Sequence, residues 1–113
     1  MQVNVKNYEE LLNGITVLEV SGESCANCLT LMPLLYNLVS KRNDCKLLHL
    51  EATEETLPLI HMFEIEAVPS ILIMNDKKVF ARCRGYQPEE ILELWLDAKL
   101  EELKNGKNCL ENN

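Results

Sequence analysis

The sequence lacks long apolar runs and carries few basic residues. Its apolar stretches are short and interrupted, whereas a membrane-spanning helix needs roughly 20 consecutive apolar residues, so we expect no membrane association. Lysine and arginine together number 11 against 18 acidic residues, which gives a formal net charge of -7. Because nucleic acids and acidic membrane surfaces attract positive charge, this balance argues against both as partners.

Two further absences bear on the cellular compartment. Residues 1–6 contain no basic segment followed by a long apolar stretch, so no secretory signal is visible. The five cysteines form an odd set, whereas a small secreted disulfide scaffold uses an even one. We therefore expect a cytoplasmic protein that forms a single domain over residues 1–113, with about 107–113 as a flexible tail.

No metal-binding motif is visible either. His49 and His61 lack the short spacing, to each other or to a cysteine, that zinc sites use. We therefore expect no bound metal, and we expect both histidines to be surface or strand-edge residues. Cys45 and Cys83 read as ordinary buried or half-buried thiols, and Cys109 reads as an exposed thiol in the tail.

What the sequence does contain is a pair of cysteines three positions apart, within Ser-Cys-Ala-Asn-Cys at 24–28. The pair follows a strand-like run and precedes a helix-like run, so both thiols should lie on one face of a first helical turn, close enough for a disulfide. The N-terminus of a helix favours an anion, so Cys25 should ionise readily and attack first. Cys28 should be more buried, beneath apolar residues of the helix, Leu29, Leu31 and Met32.

Hydrophobic patterning predicts alternating strands and helices. Apolar or alternating runs predict strands at about 2–5, 15–20, 45–51, 70–74 and 79–84. Helical spacing and cap residues predict helices at about 7–12, 25–42, 56–63 and 88–105. Such alternation implies parallel strands joined by crossover helices, whereas the last two strands must form an antiparallel hairpin. We therefore expect an α/β protein with a central mixed sheet, helices on both faces, and the cysteine pair at the carboxyl end of a central strand.

Several residues outside the cysteine pair stand at positions that match one family. Pro33 follows the second cysteine by five residues, Val68-Pro69 precedes a strand, Gly85 follows the last strand, and Glu19 lies six residues before the first cysteine. With these features in register over nearly all of its length, the chain resembles a thioredoxin. The resemblance implies the thioredoxin fold, a helix kinked at Pro33 and a cis peptide bond before Pro69.

The resemblance also implies an enzyme, a thiol–disulfide oxidoreductase with no cofactor besides its redox-active Cys25–Cys28 disulfide. Cys25 would be the nucleophile and Cys28 the resolving thiol of a mixed-disulfide mechanism, while Glu19 would accept and return protons. Protein disulfides would be the substrates of a monomer, and an external donor such as a thioredoxin-type reductase would supply electrons. In a reducing cytoplasm we expect disulfide reduction. The implied substrate-binding positions are Val68, Pro69, Gly85, Ala26, Asn27 and Tyr86.

Departures from the family's motif support alternatives. Ser24 stands where the family has Trp, and Ala26 and Asn27 stand where it has Gly-Pro. Because the residues between the cysteines tune the reduction potential, the chain could instead be a thioredoxin-fold module that binds proteins or senses redox state with little exchange activity. A more distant alternative is an iron–sulfur cluster bridged between two chains by both cysteines of each. Glu19 could likewise be a strand-end carboxylate that simply reaches water.

Overall fold

The computed structural model describes residues 1–105. Within them lie four helices and four strands, in the order α1 (Tyr8–Leu11), β1 (Ile15–Gly22), α2 (Ala26–Ser40), β2 (Lys46–Ala52), α3 (Leu57–Met62), β3 (Ser70–Asn75), β4 (Lys78–Arg84) and α4 (Glu89–Lys104). The predicted flexible tail, residues 107–113 with Cys109, lies outside the described part of the chain.

The four strands form one mixed sheet in the order β2-β1-β3-β4. β1 pairs in parallel with β2 and antiparallel with β3, and β3 pairs antiparallel with β4. β1 and β3 therefore occupy the centre, and their side chains are buried on both faces along most of their length. Strands covered on both faces have near-continuous apolar sequences, which is why these two were predictable. The predicted mixed sheet is confirmed.

Helices cover both faces of the sheet, and each face has its own apolar cluster. Because successive side chains of a strand point to opposite faces, alternate residues of β1 belong to different clusters. One face packs with residues of and around α1 and α3, including Leu12, Leu18, Val20, Leu48, Leu50, Leu59, Phe63, Leu72 and Met74. The other packs with α2 and α4, including Val17, Leu31, Leu35, Leu38, Ile71, Ile73, Leu92, Leu96 and Leu100. The predicted placement of helices on both faces is confirmed.

The strand predicted at 2–5 is reduced to a single parallel bridge between Gln2 and His49 on the outer edge of β2. Val3 donates its N–H to the His49 carbonyl over 2.7 Å and is buried, so this segment does contribute to the core. The side-chain oxygen of Asn4 then accepts hydrogen bonds from the N–H groups of Lys6 and Asn7, at 2.8 and 2.9 Å. This local turn ends the extended segment, since an Asn side chain competes with the backbone ladder.

A cluster of ion pairs ties the ends of α2 and α4 to the start of β2. Arg42, just after α2, contacts Asp44 at 2.9 Å and also reaches Asp97 on α4, while Lys104 at the end of α4 contacts Asp44. The hydrogen bond from Arg42 is the main reason that the pKa of Asp44 lies well below its usual range, with burial opposing the shift and Lys104 adding to it.

We predict that Asp44→Asn lowers the free energy of unfolding by about 1.5–3 kcal/mol at neutral pH, the range for hydrogen bonds to charged groups. Because the folded-state pKa of Asp44 is lowered, its contribution is complete above the unfolded-state value of about 3.9 and is lost as the pH falls below it. Urea unfolding at neutral pH and near pH 3 should therefore show mutant and wild type converging in acid.

The matched control is Glu102→Gln, which removes an exposed i,i+3 pair with Lys99. Exposed pairs contribute about 0–1 kcal/mol, so this variant should resemble wild type at both pH values. Equal losses in the two variants would contradict the assignment of Asp44 as the centre of the cluster.

Candidate active site

The cysteine pair lies between the end of β1 and the start of α2. Ser24 has a φ of 58°, in the left-handed region, and this residue turns the chain from the strand toward the helix. Cys25 has an extended backbone and is the N-cap of α2, which begins at Ala26. The helix therefore starts one residue later than predicted, and Cys25 stands directly at its N-terminus.

Cys25 and Cys28 are joined by a disulfide, with Cα atoms 5.2 Å apart. The N–H of Cys28 donates a hydrogen bond to Sγ of Cys25 over 3.2 Å, so the sulfur takes the place of the oxygen of an ordinary N-cap side chain. Cys28 is 1% exposed, whereas Cys25 is half-buried. An attacking thiol with access to a substrate and a covered second thiol are what disulfide exchange requires.

A cavity of about 420 Å³ opens beside the pair and is lined by Ser21, Gly22, Ser24, Cys25, Ala26, Cys28, Leu29, Met32, His49 and Glu51. Leu29 is 73% exposed and Met32 is 38% exposed. Both side chains line this cavity together with Cys28, although a large part of each is exposed. Of the three residues expected to cover Cys28, only Leu31 is buried.

The segment before β3 approaches the same end of the sheet. Its Val68-Pro69 peptide bond is cis, and Pro69 is buried. Gly85 donates its N–H to the Pro69 carbonyl over 2.8 Å. Gly85 has a φ of 85°, a conformation that side chains disfavour, so glycine is suited to this contact. These contacts place three predicted substrate-binding residues, Val68, Pro69 and Gly85, next to one another.

Gly22 belongs to this site but was missed from the sequence, which indicated only a small polar connection there. A Cβ atom on Gly22 would lie 3.0 Å from Cγ2 of Val68. Glycine therefore lets the Val68 side chain reach the end of β1, at the edge of the cavity beside the cysteines. An isolated glycine at the end of a buried strand is the available sequence signal for such a close approach.

Glu19 lies on β1 and is only 3% exposed, so the alternative that it reaches water is wrong. Its Oε1 atom is 2.8 Å from Nδ1 of His49, its direct neighbour on β2. The other ring nitrogen of His49, Nε2, is 3.0 Å from Oγ of Ser21. His49 does lie on an edge strand, as predicted, but its ring is turned inward and only 17% exposed. His61 is exposed.

Two other predicted substrate-binding residues, Asn27 and Tyr86, are exposed and do not line the cavity. Tyr86 follows Gly85, near the exposed ion pair in which Arg84 contacts Glu66 at 2.7 Å. The structure thus groups Ala26 with the cysteines and leaves Asn27 and Tyr86 on the surrounding surface.

Two more thiols occur among the described residues. Burial, with the nearby negative charge of Asp44 adding to it, raises the pKa of Cys45 to about 11. Burial also raises the pKa of Cys83. Because the thiolate is the reacting form, neither competes with a thiol at a helix N-terminus near neutral pH.

Metal-binding side chains are not clustered in this part of the chain. Across residues 1–105, no group of three or more His, Cys, Asp or Glu side chains is placed to hold an ion. The same residues contain no helix with the length and apolar character needed to cross a membrane.

A cysteine pair closed into a disulfide at a helix N-terminus, beside a cis-proline segment, is the site of a thiol–disulfide oxidoreductase. The thioredoxin family model matches residues 1–98, and the chain belongs to the thioredoxin family. A thioredoxin of Chlamydia pneumoniae is 22% identical over 91 residues, which are 80% of this chain and 88% of that protein.

Solved structures show the same fold. A chain in the crystal structure of the ferredoxin:thioredoxin reductase and thioredoxin f2 complex superimposes with a TM-score of 0.78 at 24% identity, over 87% of this chain and 92% of that chain. Thioredoxin f2 of Chlamydomonas reinhardtii superimposes with a TM-score of 0.71 at 17% identity, over 83% and 91%. The predicted thioredoxin fold is confirmed.

We predict that Gly22→Ala weakens substrate binding several-fold, because the added methyl group displaces the Val68 side chain. The measurement is KM for a protein disulfide, with kcat recorded in parallel. Val68→Ala removes the clash, so Gly22→Ala should add nothing in the Val68→Ala background, and the double-mutant cycle should show strong coupling. Independent, additive effects of the two substitutions would show that the contact does not act on binding.

Proposed function

We propose that this oxidoreductase works as a disulfide reductase, with Cys25 as the nucleophile and Cys28 as the resolving thiol. The observation that carries the proposal is the unequal setting of the two sulfurs. Cys25 is half-buried at the N-terminus of α2, where its sulfur accepts the Cys28 N–H, whereas Cys28 is 1% exposed. The helix N-terminus stabilises a thiolate at Cys25 through its free N–H groups and dipole.

In the proposed reaction, the Cys25 thiolate attacks one sulfur of a substrate disulfide. A mixed disulfide forms, and the other substrate sulfur leaves as a thiol. Cys28 then loses its proton and attacks Sγ of Cys25, which releases the second substrate thiol and closes the Cys25–Cys28 disulfide. Two electrons pass from the protein to the substrate. Because the cysteine pair carries both electrons, the proposed reaction needs no further cofactor. Both thiols belong to one copy of the chain, so a monomer can carry out the reaction.

Protein disulfides fit this site better than small ones. Val68 is 38% exposed, and an extended substrate strand can hydrogen-bond to backbone groups of the segment that contains it. Exposed apolar side chains on the same side of α2, Leu29 and Met32, offer contact area for a protein partner. Ala26, Pro69 and Gly85 are proposed to border the same groove, with Asn27 and Tyr86 at its margins.

The oxidised protein must be reduced again by an external donor. A similar chain is solved in a complex of ferredoxin:thioredoxin reductase and thioredoxin f2, which supports a thioredoxin-type reductase as the class of donor. We place the reaction in a reducing cytoplasm, since the five cysteines form an odd set, unlike the even set of a small secreted disulfide scaffold. Glu19 is proposed to take part in proton transfer. Because Glu19 is buried and contacts the imidazole of His49, it would act through that ring.

The proposal is tested by insulin reduction with dithiothreitol, in which a reductase shortens the lag before insulin precipitates. Wild type should shorten the lag, and Cys25→Ser should abolish the effect. Cys45→Ser, which changes a half-buried thiol outside the pair, should retain it. Wild type that leaves the lag unchanged would favour the alternative of a binding or redox-sensing module.

The order of attack predicts which variant traps substrates. Cys28→Ser retains the nucleophile but cannot resolve the mixed disulfide, so it should accumulate covalent complexes with cellular proteins, seen on non-reducing gels and released by dithiothreitol. Cys25→Ser should trap almost none. Both variants should also carry Cys45→Ser, Cys83→Ser and Cys109→Ser, so that other thiols do not contribute. Equal trapping by the two variants would reverse or abolish the assignment.

A further inference from the structure

The proposed reaction requires that Cys28, a buried residue, lose a proton. Its thiol is 1% exposed, so bulk water does not reach it directly. A base that takes this proton must therefore face the cavity beside the pair. The sequence pointed to Glu19, but Glu19 does not line that cavity and instead lines a second one of about 250 Å³.

His49 lies between the two cavities. Together with Met32 it lines both of them, so His49 borders the cavity of Glu19 as well as the cavity of Cys28. Its Nδ1 is held by Glu19 at 2.8 Å, and its Nε2 is held by Ser21 at 3.0 Å. Ser21 lines the cavity of the cysteines as well, and that cavity is large enough for several waters.

Resting on the proposed function, we infer that His49 is the proton acceptor for Cys28, reached through the Ser21 hydroxyl or a cavity water, with Glu19 as its positioning residue. With Nδ1–H donated to the Glu19 carboxylate, the lone pair of Nε2 faces Ser21 and is free to take a proton. The carboxylate fixes the tautomer and stabilises the imidazolium that forms, without itself being protonated. In this arrangement Glu19 acts on the Cys28 thiol through the imidazole of His49.

In the mixed disulfide, the Cys28 proton passes to Nε2 of His49, and the resulting thiolate attacks Sγ of Cys25. The bond between Cys25 and the substrate sulfur breaks, and the substrate leaves as a thiolate that takes up one proton. His49 returns its proton to that thiolate or to water. The protein dithiol is oxidised by two electrons, and the substrate disulfide is reduced by two.

Several titratable groups face the ring and belong in any account of its pH dependence. Glu19 is on β1, and Glu51 is on β2 in the cavity of the cysteines. Tyr36 on α2 and the amino group of Met1 border the second cavity, and the cysteines themselves border the first. Of these groups, Glu19 is the one in direct contact with the ring.

The test isolates the second step with a disulfide whose leaving groups need no protonation. A parent carrying Cys45→Ser, Cys83→Ser and Cys109→Ser is reduced and mixed with dithiobis-nitrobenzoate in a stopped-flow instrument. Attack by Cys25 releases a first thionitrobenzoate, and attack by Cys28 releases a second. The rate of the second release is recorded from about pH 6 to pH 9.

In the parent, the second release should become faster as the pH rises and then level off, because only the neutral imidazole can accept a proton. In His49→Gln it should be slower on the order of 100-fold near pH 7, the lower end of what a positioned base supplies. It should then rise only as the thiol itself ionises, and approach the parent near pH 9. Glu19→Gln should slow the second release near pH 7 and leave the first unchanged, because an amide does not stabilise the imidazolium as the carboxylate does.

The controls separate this inference from simpler explanations. The first release, made by Cys25, should be unchanged in His49→Gln and so verifies in the same trace that the site is folded. His61→Gln, which changes the exposed histidine, should match the parent at every pH. A His49→Gln profile equal to the parent's, or lowered by one factor at every pH, overturns the role of His49. Absence of the second release in the parent would instead contradict the proposed function.

Discussion

The burial of β1 at the centre of the sheet is the constraint on which the site depends. Helices cover both faces of this strand and neighbouring strands cover both edges, so a polar group on it is largely shielded from bulk water. A buried polar group must find a partner within the protein. Glu19 and Ser21 share one hydrogen-bond partner, His49 of β2. The parallel register of β1 and β2 places His49 directly beside Glu19.

The same constraint fixes where the cysteines lie. After Gly22 the chain leaves the sheet, and the left-handed backbone of Ser24 directs it into α2 with Cys25 as the N-cap. Two further turns of that helix bury Leu31 and Leu35 against the sheet. Packing of the helix therefore holds its N-terminus at the sheet's edge, where the free N–H groups of its first turn meet the sulfur of Cys25.

Much of this could be predicted from the sequence because local patterns determine it. Buried strands have continuous apolar runs, and two cysteines at i and i+3 have one geometry at a helix start. Features that depend on tertiary packing could not be read in the same way. α4 is apolar at more positions than one face can bury, and Ile91 and Leu94 lie exposed while Leu96 and Leu100 are buried. Likewise, Leu29 and Met32 are exposed, because α2 packs on the sheet through Leu31 and Leu35.

His49 shows most clearly what sequence spacing cannot reveal. It is 30 residues from Glu19, and only the register of β1 on β2 makes the two neighbours. Stability gives little reason for such a pair, since a buried polar pair is often no better than apolar residues of similar size. A buried carboxylate on the strand that leads to the cysteines, held against an imidazole that borders their cavity, is accounted for by chemistry at that site rather than by packing.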